Sequence, residues 1–167
     1  MTKAGRCGNG RFMYSMIGES LTLNVYKRGV SMGYTQDDLK AMEKQAQATF
    51  WGYLGCEIVS LTDEEAIIRL ALKPHHLNMM GIVHGGVTSS LIDNAMGLIT
   101  NAVRPDSPMV TSNLNLHFVA PLTGEVLEVR AHIIHETPRS LTCYATVTDE
   151  CGQVGSIGTG TFRAKRK

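Results

Sequence analysis

The stretch GVTSSLIDNAMGLITNA, residues 86–102, decides how this chain folds. Val87, Leu91, Leu98 and Ala102 fall on one side of a helix, and Ile92, Ala95, Met96 and Ile99 widen the apolar arc. A helix apolar over most of its circumference is a buried helix and needs cover from other elements. What remains is a strip of small or polar residues, Gly86, Ser90, Asp93, Gly97 and Thr100. Along it another backbone or a thin ligand can approach, so Gly86 and Ser90 are candidate substrate contacts.

The cover is written in strands. Cys56–Leu61 and Glu65–Leu72 flank the turn Thr62-Asp63-Glu64 with the spacing of an antiparallel hairpin. Four further runs, Met109–Val119, Glu125–His135, Ser140–Asp149 and Gln153–Phe162, are joined by turns short enough for hairpins. In the first of these, Val110, Leu114, Leu116 and Phe118 alternate with Thr111, Asn113, Asn115 and His117. Simple alternation puts the first set on the apolar face. The pattern predicts an α+β domain in which a curved antiparallel sheet of about six strands wraps a long central helix.

Upstream, Thr35 and Asp38 have capping-box spacing. Leu39, Met42, Ala46, Phe50 and Tyr53 share a helical face, so a single helix is expected from Gln36 to Trp51. Residues 1–34 show no sustained period and read as an N-terminal extension, poorly ordered or loosely docked, ahead of a domain spanning 35–167. A short strand or helix near Phe12–Ile17 or Leu21–Tyr26 fits within it.

Composition narrows the function classes. The net charge of +1 is uneven, because residues 35–162 hold seven Lys/Arg against fourteen Asp/Glu. An acidic body with basic ends argues against nucleic acid as a partner. No apolar run approaches the roughly 20 residues that span a bilayer, and Gly18, Glu19 and Ser20 interrupt any leader-like stretch. A cytoplasmic protein without a membrane partner is expected. Cys7, Cys56, Cys143 and Cys151 are scattered without a CxxC pair, which predicts reduced thiols and no metal site.

The chemistry centres on the start of the buried helix. In the turn His84-Gly85-Gly86, the glycines either serve a tight turn or leave N–H groups free to meet a ligand oxygen. The helix dipole favours the second use, which is the requirement of an oxyanion site. Asp93 is costly inside so apolar a helix unless it is paired or faces a site, where it serves as general base or nucleophile. Asn78 either caps a turn or orients water or a carbonyl. His84 either packs beneath the loop or positions it. Eight residues separate Gly85 from Asp93, on the order of 12 Å along a helix. Both cannot then act on one carbonyl within one chain. Two such helices related by a two-fold axis would bring one chain's Gly85 near the other's Asp93, so the site predicts a homodimer.

These residues carry a family resemblance. The runs HHLNMMGIVHGGVTSSLIDNAMGLI, LHFVAPLTGEVLEVRAHIIHE and DECGQVGSIGTGTF resemble the hotdog-fold acyl-CoA thioesterases of the PaaI-like group, over about residues 45–163. The resemblance implies a homodimer, often a homotetramer, that hydrolyses acyl- or aryl-acyl-CoA without cofactor or metal. It assigns Asp93 as the catalytic carboxylate and Gly85 as the carbonyl-polarising N–H. It further assigns Asn78 as a holder of the attacking water, His84 as a support for the loop and Thr111 as an aid to the carboxylate. Coenzyme A phosphates need cations, for which Arg139, Arg163 and Lys165 are candidates. A non-catalytic acyl-CoA sensor and an enoyl-CoA hydratase or dehydratase are the alternatives on this fold. The second usually needs an Asp and His pair in the helix region, and no histidine lies between Gly85 and Arg104.

Overall fold

A computed structural model describes residues 33–165 of the chain. The N-terminal readings at Phe12–Ile17 and Leu21–Tyr26, Cys7, and the tail residues Arg166 and Lys167 lie outside them. Helices α1 (Gln36–Ala46) and α2 (Phe50–Leu54) lead into strands β1 (Cys56–Leu61) and β2 (Glu65–Ala71). A short 3-10 turn, Pro74–His76, precedes the central helix α3 (Gly85–Val103). Strands β3 (Met109–Phe118), β4 (Val126–Glu136), β5 (Ser140–Asp149) and β6 (Val154–Ala164) complete the chain. The six strands form one antiparallel sheet in the order β1-β2-β4-β5-β6-β3, curved around α3 as in the hotdog fold.

Helix α3 buries Leu91, Ile92, Ala95, Met96 and Ile99 completely, and the inner faces of β2, β4, β5 and β6 close over them. Two glycines set how closely. A Cβ on Gly158 would lie 2.9 Å from Ile92 Cγ2, and one on Gly160 would lie 2.8 Å from Met96 Sδ. The helix therefore rests on bare backbone of β6. The strip of small and polar residues on α3 is shorter than its sequence pattern: Thr100 is buried and turns its hydroxyl onto the Gly97 carbonyl.

The expected single helix over Gln36–Trp51 is two helices. The capping box forms, with Asp38 N–H on Thr35 Oγ1 and Thr35 N–H on the Asp38 carboxylate. At Thr49 the backbone turns extended, and both its N–H and its hydroxyl donate to the Ala46 carbonyl. That local pairing competes with the helical ladder and ends α1. Gly52 then packs so near the Gln47 carbonyl that a Cβ would fall 2.1 Å from its oxygen. In consequence Phe50 and Tyr53 are 56% and 74% exposed instead of continuing the buried stripe.

Among the described residues no helix is long and apolar enough to cross a membrane, and no His/Cys/Asp/Glu group could hold a metal ion. Cys56 and Cys143 are free and buried, whereas Cys151 is disulfide-bonded, which departs from a full set of reduced thiols. Burial pushes the Cys56 thiol up to about 11, with a hydrogen bond from Asn94 pulling the other way, and the Cys143 thiol up to about 12.

Three expectations follow from this packing. Gly158→Val should drive α3 off β6 and lower unfolding free energy by about 1–3 kcal/mol, read as a lower denaturant midpoint. Unfolded thiols ionise near pH 9 while the folded ones stay protonated, so stability should fall as pH rises from 9 towards about 11. In native protein at pH 8, iodoacetamide should leave Cys56 and Cys143 unmodified by mass spectrometry; labelling at the rate of a free thiol would contradict that packing.

Candidate active site

The segment before α3 is held by its own polar groups. Asn78 folds it into a turn: its side-chain oxygen accepts from Met80 N–H at 2.9 Å and Ile82 N–H at 3.4 Å. Its amide NH2 has no partner among the described residues. Buried His76 accepts from Lys73 N–H on Nδ1 and receives His84 N–H on its backbone carbonyl, both within 3.0 Å. A neutral His76 therefore carries its proton on Nε2. Burial, then neighbouring His75, hold its pKa below the usual value, although the Leu54 carbonyl draws it upward.

His84 caps α3 in an unusual way for a histidine. Its Nδ1 accepts from Gly86 N–H at 2.8 Å, while its carbonyl takes Val87 N–H and Thr88 N–H. The N–H groups that this helix start leaves open are those of His84, Gly85, Gly86 and Val87, and with His84 N–H on the His76 carbonyl three of the four are used. Gly85 N–H is the fourth, and it has no acceptor among the described residues. One free donor remains, at the positive end of the helix.

Two clefts, each of about 340 Å³, flank this turn. The first is lined by Gly85, Asn78, Thr88, Phe118, Leu122 and Ser156, among others. Phe118 lies so close that a Cβ on Gly85 would meet its ring at 3.2 Å. The second cleft is lined by Phe50, Tyr53, His76, His84, Gly86 and Ser90. The hydroxyls nearby are committed to the helix: Thr88 and Ser89 donate to the Gly85 carbonyl and Ser90 to that of Gly86. Gly86 likewise has its N–H occupied by His84.

Asp93 lines neither cleft. Two turns along α3, it is half-buried and accepts from the Thr111 hydroxyl at 2.8 Å. Simple alternation along β3 turns Thr111 away from the helix; the strand itself does not follow it. The pairing of β3 with β6 slips between Thr111 and Asn113, a bulge at Ser112. Below the bulge Met109 and Thr111 face inward, opposite Ala164 and buried Phe162, and Val110 is 47% exposed. Above it Leu114, Leu116 and Phe118 face inward, opposite Gly160, Gly158 and Ser156. One extra residue thus aims Thr111 at Asp93 and Phe118 at Gly85.

The three candidate cations collect at one corner, the Thr111 end of β3. Arg163 pairs with Val110 and Ser140, the Arg139 carbonyl accepts from Ala164 N–H, and Lys165 N–H donates to the Pro108 carbonyl. All three are exposed. Asn78 and Gly85 are brought together, as are Asp93 and Thr111, but the two pairs stay apart within the chain. Sequence reasoning missed Phe118 and Ser156 as walls of the first cleft. For Ser156 the signal was its place two and four residues before Gly158 and Gly160 on the inner face of β6.

Known proteins resemble this chain in sequence and fold. The thioesterase superfamily matches residues 80–156. Acyl-coenzyme A thioesterase 13 of Mus musculus is 28% identical over 80 residues, or 47% of this chain and 57% of that protein, less than two thirds of its length. A Bacillus halodurans protein whose structure was solved with CoA is 32% identical, with a TM-score of 0.66 over 77% of this chain and 84% of that one. A mutant of the phenylacetic acid degradation protein PaaI from Thermus thermophilus is 28% identical, with a TM-score of 0.64 over 70% and 98% of the two chains. With its sheet curved around α3 and these relatives, the chain belongs to the thioesterase superfamily, as a hotdog-fold member of the PaaI-like group.

Proposed function

We propose that this chain hydrolyses acyl-CoA thioesters, aryl-acyl ones included, to the free acid and CoA. The observation that carries the reading is the unpaired Gly85 N–H at the start of α3, beside a cleft. It polarises the thioester carbonyl and stabilises the oxyanion formed when oxygen adds to that carbon. Asp93, steadied by Thr111, either takes the proton of an attacking water or adds to the carbonyl itself. The free amide of Asn78 positions the water or the carbonyl, and His84 keeps the turn in shape. The C–S bond then breaks and leaves a thiolate, a good leaving group. The reaction so drawn needs no cofactor beyond the coenzyme A of the substrate.

Gly85 and Asp93 act together only across two chains, since roughly 12 Å of helix separates them in one. Strand β3 supports that assembly. It is a ten-residue strand with one side unpaired among the described residues, and Val110, Phe118 and Val119 are exposed on or beside it. Such an edge is a template for a second strand. Two copies paired there would form a homodimer with the α3 helices alongside, and pairs of dimers a homotetramer. The corner of Arg139, Arg163 and Lys165 would then serve the CoA phosphates.

Release of CoA thiol from a panel of acyl-CoAs should be measurable and should vanish in Asp93→Ala. Tight binding without turnover across the panel would instead mark a non-catalytic acyl-CoA module. Gly85→Pro is the sharper test of the N–H. Proline is at home in the first helical position, and His84, with ψ of 134°, already has the backbone that a following proline requires. The variant also sets a Cβ 3.2 Å from the Phe118 ring, so Gly85→Ala, which adds the same Cβ and keeps the N–H, is its control; relative to that control the proline variant should lose about 10²–10³-fold in kcat. Mixed dimers of Gly85→Pro and Asp93→Ala subunits should recover activity, because one of their two sites is intact. No recovery in verified mixed dimers would place the site within a single chain.

A further inference from the structure

Asn101 belongs to none of the groups used above. It stands near the end of α3 and is exposed, at a position where alanine would serve the helix better. Both polar atoms of its side chain are nonetheless committed. Its Nδ2 donates to the Gly97 carbonyl at 2.9 Å and to the Met109 carbonyl at 3.2 Å, and its Oδ1 accepts from Met109 N–H at 2.9 Å. Exchanging the amide oxygen and nitrogen would set oxygen against two carbonyls, so the network admits one orientation. The carboxamide thus takes both backbone polar groups of Met109, as a neighbouring strand would, and ties the first residue of β3 to the helix. Two residues on, the Thr111 hydroxyl donates to Asp93 at 2.8 Å. At the bulge, Ser112 donates its hydroxyl to the Thr161 carbonyl at 2.9 Å. The segment 109–112 is therefore held by side-chain bonds at both ends.

We propose that Asn101 is a positioning residue for the reaction: by fixing Met109 it sets where the Thr111 hydroxyl meets Asp93. The assignment rests on the reading of Asp93 as the carboxylate of thioester hydrolysis. Among the described residues β3 has one neighbouring strand, β6, which sets its place in the sheet. Its polar tie to α3 is what sets its distance from the helix, and Asn101 and Asp93 lie on the same strip of α3 with Gly97 between them. Without the carboxamide the start of β3 keeps its ladder to β6 and loses that tie. A hydrogen bond weakens steeply with distance and angle, and a displacement of about 1 Å in a supporting group can cost about 100-fold in rate. A second side chain near the same end of α3 provides a contrast. Arg104 pairs with Glu136 and donates to the Thr137 carbonyl, so it ties the helix to the end of β4 instead.

The test is a double-mutant cycle read in kcat, with the fastest substrate of the acyl-CoA panel. Asn101→Ala should lower kcat about five- to tenfold with KM nearly unchanged, and Thr111→Val should lower it by at least as much. In the Thr111→Val background Asn101→Ala should cost nothing further, because its effect passes through that hydroxyl. Asn101→Ser can still bond the Gly97 carbonyl one turn back but is too short to pair with Met109. It should match the alanine variant, and it decides the matter if that variant does not fold. Arg104→Ala, which frees the same end of α3 from β4, should keep the kcat of the unsubstituted protein. Losses at Asn101 and Thr111 that multiply overturn the proposal, since Asn101 then acts elsewhere. So do an unchanged kcat in Asn101→Ala, a loss confined to KM, and an equal loss in Arg104→Ala. No turnover of any thioester by the unsubstituted protein is a different failure, that of the thioesterase reading, and removes this assignment with it.

Discussion

The contact on which the structure depends is that between α3 and the glycine-bearing strand β6. A nineteen-residue helix with an apolar circumference has no stable place at a surface, so the sheet must curve to enclose it. Gly158 and Gly160 let Ile92 and Met96 rest against backbone, and this close seat fixes the helix in its groove. The start of the helix is then held where loop and strand meet, with Phe118 against Gly85. A single free N–H is useful only if its direction does not wander, and the buried length of α3 prevents that.

The cap refines the same constraint. Because His84 Nδ1 takes Gly86 N–H, the His84 carbonyl takes Val87 N–H and the His76 carbonyl takes His84 N–H, the helix start offers one donor where an uncapped start would offer four. His76, itself buried, holds the backbone of His84 through its carbonyl. Most of the polarity of the segment goes into shaping it; Gly85 N–H is left free beside the first cleft, and His76 Nε2 is buried without a hydrogen-bond partner.

Much of this was legible in the sequence because it follows from periodicity. The apolar arc of α3 announced a buried helix, and the alternating runs gave the strands to within a residue or two. The separation of Gly85 from Asp93 followed from helical rise alone. What could not be read arises from competition between local and tertiary terms. Thr49 carries no strong breaking signal, yet its pairing with Ala46 and the close approach of Gly52 to Gln47 divide the expected helix. The bulge at Ser112 is invisible because the polar run Thr111-Ser112-Asn113 alternates acceptably in either register. In sequence Ser156 is one more small residue of a glycine-rich strand, and its burial in the cleft wall is a product of the tertiary fold.

The bulge in β3 also divides the strand into two segments of opposite parity. In an unbroken strand, the residues reaching Asp93 and those reaching Gly85 would obey one alternation, and a shift in register would disturb both ends at once. Here the extra residue absorbs the phase difference. The portion that supports the carboxylate and the portion that shapes the cleft wall can accept substitutions independently. Mutational drift at Phe118 would remodel what the cleft admits while leaving Thr111 and Asp93 in register. One extra residue thus lets a change at one end of the strand leave the other end in register.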